Sequence, residues 1–421
     1  KAPKSAADIA KAGDLIRIQL REVKGKKKGE AAQELWHLTQ IPEAQGALVS
    51  VNPNNGAIVS LVGGFNFYHN KFNRVTQAVR QPGSNIKPFI YTAALSNGYT
   101  PATLINDAPV VFHDKNLESS WRPQNYSKKF YGPTRLREAL YKSRNLVSIR
   151  ILQSIGIKKA HEYLTKFGFE ESKLPNNLSL SLGTADVTPL EVVTGYAAFA
   201  NGGFRVNPNF IARIDDAYGK TLVRSQPQTV CEDCAYLPED AEPSELASIP
   251  EGQQITPLPL AERILDEQVS YLIYNIMQDV INNGTGRRAK ALKRQDLAGK
   301  TGTTNDQKDA WFSGFNRDLV ATAWVGFDQP QTLGRNEFGS TAALPIWIDF
   351  MRVALAEKPE HGPTPPDGIV SVRIDPKSGL LAYPGQTNAM FEVFRKDNAP
   401  KRHASAPAAP GTSGNTTEDI F

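Results

Sequence analysis

The chain has 421 residues, which is enough for one large domain with smaller additions. Its 48 basic and 43 acidic residues give a net charge of +5, too small and too evenly spread to indicate nucleic-acid binding. The one compact basic run, residues 24–28, contains no aromatic residue and favours a solvated loop over a binding patch.

Two cysteines, Cys231 and Cys234, lie three positions apart, and the six histidines show no ligand spacing around them. A zinc site would need two further cysteine or histidine ligands, so we expect neither a metal nor another cofactor. The pair favours a disulfide that closes an exposed loop over two free thiols, and such a bond suits a compartment outside the cytoplasm.

The chain begins at Lys1 and shows no signal peptide and no uninterrupted apolar stretch of about 18 residues. We therefore expect a piece of a longer protein, with any membrane anchor present only in the full-length chain.

The first 45 residues predict a small β module. Residues 15–20 alternate strictly between apolar and polar, as in a half-buried strand, and a second apolar patch follows at 35–38. Residues 46–51 and 57–62 then predict a hairpin, because Asn55-Gly56 supplies the positive φ of a tight turn.

The middle of the chain is predicted to be mostly helical. The first helix covers residues 84–95, with Ile86, Phe89 and Ile90 on a buried stripe. Further helices are predicted at 136–142, 146–154, 158–167, 189–201 and 266–283. The last three are followed by Gly168, Gly202 and Gly284, which fit the left-handed position after a helix.

Strands return at 297–301, 310–315 and 319–327. Residues 386–421 are predicted to form a largely disordered tail, because a composition of Pro, Gly, Ala, Ser and Thr cannot bury a core. The pattern predicts a mixed α/β (α+β) chain in three parts: the β module at 1–45, a main domain at 46–385 and the tail.

Ser84 and Lys87 form the only Ser-x-x-Lys sequence, at the start of the first predicted helix. On a helix this spacing places both side chains on one face, where they can share a hydrogen bond. A desolvated lysine can lose its proton and then activate the serine hydroxyl as a nucleophile. Taken alone, the pair is better explained as a capping serine beside a solvated lysine.

Ser143-x-Asn145 lies at the junction of two predicted helices, where a hydroxyl and an amide can project into a cleft. The hydroxyl can relay a proton to a leaving amine, and the amide can hold a substrate backbone. Taken alone, a capping role for Ser143 is again favoured.

Lys300-Thr301-Gly302, followed by Thr303, closes the first of the returning strands. An ammonium, hydroxyl donors and a glycine suit a peptide carboxylate laid along a strand edge. Strict alternation places Lys300 and Thr301 on opposite faces, so both reach a substrate only if the strand borders the cleft. Whether Thr301 or Thr303 binds the carboxylate stays open.

The order and placement of the three motifs indicate one acyl-transfer site, since this set occurs together in penicillin-binding proteins and class A β-lactamases. The flanking sequences at 72–84, 182–191, 283–286 and 309–314 narrow the choice. Across residues 46–385 the chain resembles the transpeptidase domain of class A penicillin-binding proteins. Residues 1–45 are similar to part of the oligonucleotide-binding-like module of the Gram-negative 1a type.

The resemblance implies a central, mainly antiparallel sheet flanked by helices, with an all-helical subdomain. It implies a serine D,D-transpeptidase that crosslinks peptidoglycan stem peptides, with a D-Ala-D-Ala donor, an amine acceptor and β-lactams as covalent inhibitors. The expected location is the periplasmic face of the inner membrane. The family's glycosyltransferase domain is not among these residues.

The resemblance also assigns roles to the motif residues. Ser84 would be the nucleophile, Lys87 the base, Ser143 the proton relay and Asn145 the ligand of the substrate amide. Lys300 would supply positive charge, Thr301 and Thr303 would form the carboxylate site, and Gly302 would also bind substrate. The backbone N–H groups of Ser84 and Thr303 would form the oxyanion hole.

Arg144 is the main departure from the related hydrolases, because class A β-lactamases have aspartate at this position. No glutamate stands in a context that would activate water against the acyl-enzyme, so deacylation should be slow and β-lactams should inhibit. Two alternatives remain: a D,D-carboxypeptidase or β-lactamase, and a non-catalytic peptidoglycan-binding scaffold, against which the three intact motifs speak.

Overall fold

The structure is a computed structural model that describes residues 3, 5–23, 31–112, 121–230 and 259–406. Cys231, Cys234 and residues 407–421 of the predicted tail lie outside the described residues. The chain divides into two compact units, Lys1–Gln45 and Gly46–Phe421. No helix in the described ranges is long and apolar enough to cross a bilayer.

The first unit contains an antiparallel strand pair, β1 (Arg17–Val23) and β2 (Gln33–Thr39). The predicted strand at 15–20 therefore starts two residues later, and it is exposed rather than half-buried. Leu20 is 42% exposed and Trp36 is 66% exposed. Within this unit the described residues provide no second layer that would cover the apolar side chains of the pair.

The second unit contains the other strands and all the α-helices of the described residues. The strands are β3 (Gln45–Val51), β4 (Ile58–Val62), β5 (Leu104–Asp107), β6 (Gly132–Arg135), β7 (Phe204–Arg205), β8 (Arg213–Asp215), β9 (Thr221–Arg224), β10 (Glu262–Arg263), β11 (Ala298–Thr303), β12 (Asp309–Phe315), β13 (Val320–Gly326), β14 (Ile369–Ile374) and β15 (Met390–Arg395). The helices are α1 (Lys87–Ser96), α2 (Leu136–Tyr141), α3 (Asn145–Ile155), α4 (Ile157–Lys166), α5 (Pro189–Ala200), α6 (Glu267–Asn282) and α7 (Leu344–Ala354).

A five-stranded sheet with the order β11-β12-β13-β3-β4 forms the centre of this unit. Successive side chains of a strand point to opposite faces, and the core divides accordingly. Trp311 and Phe315 of β12 pack with residues of α1 to α6, whereas Phe312 packs with α7. The sheet is therefore covered by helices on both faces, as expected for a mixed α/β fold.

Five of the predicted helices match α2 to α6 to within one residue at each end. The first differs, because residues Gly83–Ile86 form a 3₁₀ turn and the α-helix proper begins at Lys87. Every residue from Lys87 to Leu95 is buried, so α1 has no solvated face opposite its apolar stripe. The reason is its central position, in contact with α3, α4 and α6.

The glycines play two distinct roles. Gly56 in the β3–β4 hairpin has a φ of +71°, and Gly168 and Gly202 have φ values of +98° and +87°, as their turn positions predict. Gly284 does not adopt a positive φ. A Cβ at this position would lie 2.4 Å from the backbone oxygen of Tyr141, so close packing of α6 against the end of α2 requires this glycine.

The segment after residue 385 differs from the predicted tail. β15 pairs with β14 in an antiparallel hairpin, and its Phe394 is only 1% exposed. Composition missed this strand, since its six residues lie within a Pro- and Gly-rich stretch and do not alternate strictly between apolar and polar. Among the described residues of the tail, Glu392 is also buried, and it accepts hydrogen bonds from Arg137 of α2.

Candidate active site

A cleft of about 840 Å³ opens beside the start of α1. Residues from all three sequence motifs line it: Ser84, Ser143, Asn145, Thr301 and Thr303. The three segments are separated by 59 and 157 positions in the sequence, so the fold itself brings these residues together.

β11 is the edge strand of the central sheet on the side of the cleft. Thr301 and Thr303 line the cleft, whereas the Lys300 side chain is fully buried and reaches the Ser143 hydroxyl at 2.9 Å. The strand therefore borders the cleft, as it must if Lys300 and Thr301, which lie on opposite faces, are both to reach a substrate. Lys300 reaches the cleft through Ser143, and the threonines reach it directly.

Glycines allow the backbone of the Ser84 segment to touch β11. Gly83 has a φ of +54°, and a Cβ there would lie 2.6 Å from the Thr303 carbonyl oxygen. A Cβ on Gly302 would lie 2.4 Å from the carbonyl oxygen of Pro82. Side chains at either position would separate the two segments, so both glycines are required to keep Ser84 beside Thr303.

Lys87 is fully buried, and its ammonium points toward the junction between α2 and α3. Its Nζ donates to Asn145 Oδ1 at 2.8 Å and to the Ser143 carbonyl oxygen at 2.9 Å, with longer contacts to the Arg144 carbonyl oxygen and Ser143 Oγ. Within the described residues no hydrogen bond joins Lys87 to Ser84, in contrast to the expected pair. Four oxygens of the junction lie within hydrogen-bond distance of the Lys87 nitrogen instead.

The two buried lysines are electrostatically unusual, because neither forms a salt bridge with any described residue. Burial lowers the pKa of Lys300 to about 7. Burial lowers the pKa of Lys87 well below its usual value, the nearby Lys300 charge lowers it further, and the Asp107 carboxylate raises it in part. A lowered lysine pKa favours the neutral amine, which is the form that can accept a proton as a general base.

Ser143 connects the two lysines. Its Oγ lies 2.9 Å from Lys300 Nζ and 3.5 Å from Lys87 Nζ, and both lysine nitrogens donate to it. The hydroxyl hydrogen of Ser143 is therefore free to point into the cleft. The residue has a φ of 59°, a left-handed conformation that is strained for serine and must be held by its surroundings.

The threonines beside Lys300 differ in their partners. Thr301 Oγ1 forms a hydrogen bond of 2.6 Å with Thr285 Oγ1, and one of these two hydroxyl hydrogens remains available. Thr303 Oγ1 accepts the backbone N–H of Gly339 at 3.0 Å, which fixes its oxygen and leaves its hydrogen free to donate. Both threonines can therefore donate to a bound anion.

Sequence reasoning missed four residues that shape this site. Asp107 and Asn125 are buried beside the α2–α3 junction, and Tyr126 and Phe338 form an edge-to-face aromatic pair with ring centres 5.1 Å apart. All but Asp107 line the cleft. They belong to loops or strand ends without periodicity, and their partners are distant in sequence, so no local pattern could have indicated them.

The fold and the cleft together define a serine acyltransferase of the penicillin-binding type. Residues 46–352 match the family described as "Penicillin binding protein transpeptidase domain", and residues 365–405 match "Penicillin-binding protein 1A, C-terminal domain". The chain therefore belongs to the penicillin-binding transpeptidases, a family of serine D,D-transpeptidases, and has the penicillin-binding transpeptidase fold.

Within that family the chain is of the 1A type. It is 52% identical over 417 residues to penicillin-binding protein 1A of Pseudomonas aeruginosa, which covers 94% of this chain and 49% of that protein. It is 41% identical over 429 residues to penicillin-binding protein 1A of Vibrio cholerae, which covers 96% of this chain and 50% of that protein. The chain thus spans about half the length of these curated relatives.

Solved structures agree with this assignment. The crystal structure of penicillin-binding protein 1A from Haemophilus influenzae superposes with a TM-score of 0.79 at 38% identity, over 88% of this chain and 56% of that one. PonA1 from Mycobacterium tuberculosis has a TM-score of 0.63 at 22% identity over 82% and 85% of the two chains, a likeness of fold alone.

Proposed function

We propose that this cleft crosslinks peptidoglycan stem peptides through an acyl-enzyme on Ser84. The observation that carries the proposal is the position of Ser143, whose Oγ accepts hydrogen bonds from two buried lysines at the edge of the cleft that holds Ser84. This arrangement supplies a base, a relay and a nucleophile without a cofactor.

In the first step Ser84 Oγ attacks the carbonyl carbon of the penultimate D-Ala, and Lys87 takes the hydroxyl proton. The backbone N–H groups of Ser84 and Thr303 face the developing oxyanion, a role supported by the close approach of the two segments. A donor of this kind contributes about 3 to 4 kcal/mol to transition-state stabilisation.

Collapse of the tetrahedral intermediate breaks the peptide C–N bond. Ser143 gives its proton to the leaving nitrogen of the terminal D-Ala and regains one from the lysines that donate to its oxygen. An amine of a second stem peptide then attacks the ester carbon and loses a proton to the same relay. The ester C–O bond breaks, and Ser84 Oγ regains its proton from Lys87. In a β-lactam the broken C–N bond lies in the ring, so the leaving nitrogen stays tethered and the acyl-enzyme persists.

The terminal carboxylate of the donor is proposed to bind at β11. Thr301 and Thr303 both present hydroxyl donors to the cleft, and Lys300 behind them supplies positive charge when protonated. Asn145 is proposed to hold the substrate amide, with its Oδ1 occupied by Lys87 and its Nδ2 by the Gln124 carbonyl oxygen in the free protein. Gly302 has no side chain, so β11 can lie against the Ser84 segment beside the proposed carboxylate site.

Transfer to an amine is favoured over hydrolysis by the composition of the cleft. Among the described residues that line it, Asp306 is the only carboxylate and no glutamate is present to activate water. Arg144 replaces the aspartate of class A β-lactamases and stacks on the Tyr131 ring at 3.2 Å. The proposed location is the periplasmic face of a Gram-negative inner membrane, as part of a bifunctional synthase with a separate glycosyltransferase domain and an oligonucleotide-binding-like module that includes residues 1–45.

A fluorescent penicillin tests the proposal. We expect stable labelling of the wild-type protein, none of Ser84→Ala, and unchanged labelling of Ser340→Ala, which removes another hydroxyl from the cleft lining. Rapid loss of the label would indicate a hydrolase, and absence of any label at saturation would contradict both enzyme functions. Release of D-Ala from a stem peptide, with and without an added amine, then separates transpeptidation from carboxypeptidation.

A further inference from the structure

Two buried residues hold the α2–α3 junction from outside the sequence motifs. Asp107 ends β5 and is fully buried, and Asn125 lies in the connection before β6 with 4% of its surface exposed. Asn125 Nδ2 donates to both carboxylate oxygens of Asp107, at 2.7 and 2.9 Å. These bonds fix the amide, so its oxygen must point away from Asp107.

The amide oxygen of Asn125 binds the start of α3. It accepts the backbone N–H of Asn145 at 2.9 Å and that of Leu146 at 3.4 Å. Arg144, the residue before the helix, provides no side-chain cap of its own. Asn125 therefore caps α3 from a different segment and fixes the first two residues of the helix, which lie two and three positions after the strained Ser143.

Asp107 also places a buried carboxylate behind the α2–α3 junction. Its carboxylate lies 4.0 Å from Arg144 Nε, which is buried and has no hydrogen-bond partner among the described residues. The other charged group that faces Lys87 is Lys300 from β11. Asp107 is thus the described carboxylate that acts on Lys87, and it raises the pKa of Lys87 that burial and Lys300 lower.

We propose that Asp107 and Asn125 form a positioning pair for acyl transfer: Asn125 holds Ser143 and Asn145 at Lys87, and Asp107 sets the charge that Lys87 experiences. The inference rests on the proposed function and deepens it, because the pair acts through Ser143 and Lys87 rather than on the reacting atoms. A residue that only stabilised the fold would leave the pH dependence of the reaction unchanged.

The test is the pH profile of the penicillin acylation rate in the wild type and in Asp107→Asn. Loss of the carboxylate charge removes what raises the pKa of Lys87, so the rising limb of the profile should move to lower pH by on the order of one unit. The matched control is Asp375→Asn. Asp375 is also buried, and it accepts an amide N–H from Gln386 at 2.7 Å, but it lies in the β14–β15 region away from the cleft.

A shift in Asp107→Asn with none in Asp375→Asn supports the proposal. Superimposable profiles of the wild type and Asp107→Asn, or an equal shift in the control, would overturn it. A wild-type protein that penicillin does not acylate would instead contradict the proposed function, so the two failures are distinguishable.

Asn125→Ala provides a second variant if Asp107→Asn does not fold. It removes the cap from Asn145 and Leu146, and we expect the acylation rate constant to fall by about 10- to 100-fold at every pH because Ser143 is misplaced. The thermal unfolding midpoint is measured in parallel. An unchanged rate constant in folded Asn125→Ala would overturn the positioning role.

Discussion

Two buried cationic clusters in this protein differ in the partners of their charges. Arg137 of α2 forms salt bridges with Glu392 at 2.7 Å and Asp279 at 2.9 Å, and both carboxylates stabilise the charged guanidinium. Burial would lower the pKa of Arg137, but the charges of Glu392 and Asp279 raise it above its usual value. Lys87 and Lys300 are equally buried and bind only uncharged oxygens.

The difference separates a structural use of charge from a chemical one. A paired arginine cannot release its proton, so the Arg137 cluster can only join α2, α6 and β15. Burial without a salt-bridge partner lowers the pKa of both lysines, to about 7 for Lys300, at the expense of folding stability. The fold thus places its unpaired buried lysines at the proposed site of proton transfer and its paired arginine where segments are joined.

The largest expected effect is on the rate in Lys87→Met. Removal of the proposed base should lower the acylation rate constant by about 10³-fold, the range for a lost general base. The free energy of unfolding at pH 7 should rise, because a buried group that resists charging is replaced by an apolar one. Stopped-flow labelling and denaturant unfolding check the two parts. A stability loss accompanying the rate loss would show that Lys87 is structural.

The Arg137 cluster should respond in the opposite sense, with a loss of stability and little change in the acylation rate. Glu392→Gln leaves the buried Arg137 charge without its main partner, so the free energy of unfolding should fall by about 3 to 5 kcal/mol. The acylation rate of the folded protein should change only a few-fold. Asp349→Asn, which breaks an exposed pair with Arg352, is the control and should cost less than about 1 kcal/mol. Equal losses in the two variants would remove the distinction between the clusters.

The pH dependence of stability sharpens the contrast further. The pKa of Lys300 is about 7 in the folded protein against 10.5 in the unfolded chain, so the unfolded state holds more protons between these values. Stability of the wild type relative to Lys300→Met should therefore rise as the pH increases from 7 to 10.5, by about 1 kcal/mol per pH unit. Urea unfolding at several pH values measures the difference. A constant difference would mean that Lys300 stays charged.

The sequence predicted the regular elements well and the polar cluster poorly, for a physical reason. Helices α2 to α6 have apolar periodicity, and glycines follow α4, α5 and α6; both are local signals. The binding partners of Lys87 are set by a loop 56 to 58 positions away, and Asp107 and Asn125 meet only because β5 pairs with β6. Motif residues could be found from spacing and resemblance. The predicted Ser84–Lys87 hydrogen bond was wrong because oxygens of the α2–α3 junction, distant in sequence, bind the Lys87 nitrogen instead.

The smallest expected effect concerns the threonine hydroxyls beside Lys300, those of Thr285, Thr301 and Thr303. Thr285→Val removes the hydroxyl that pairs with Thr301, and loss of one such hydrogen bond is worth about 1 kcal/mol. Binding of a donor peptide should weaken by about 5-fold, with the acylation rate at saturation almost unchanged, because the carboxylate lies away from the breaking bond. Thr303→Val should weaken binding more, since it removes a donor whose oxygen is fixed by the Gly339 N–H. Donor peptides with and without the terminal carboxylate distinguish the cases: if the variants weaken both peptides equally, the threonines shape the cleft and do not bind the carboxylate.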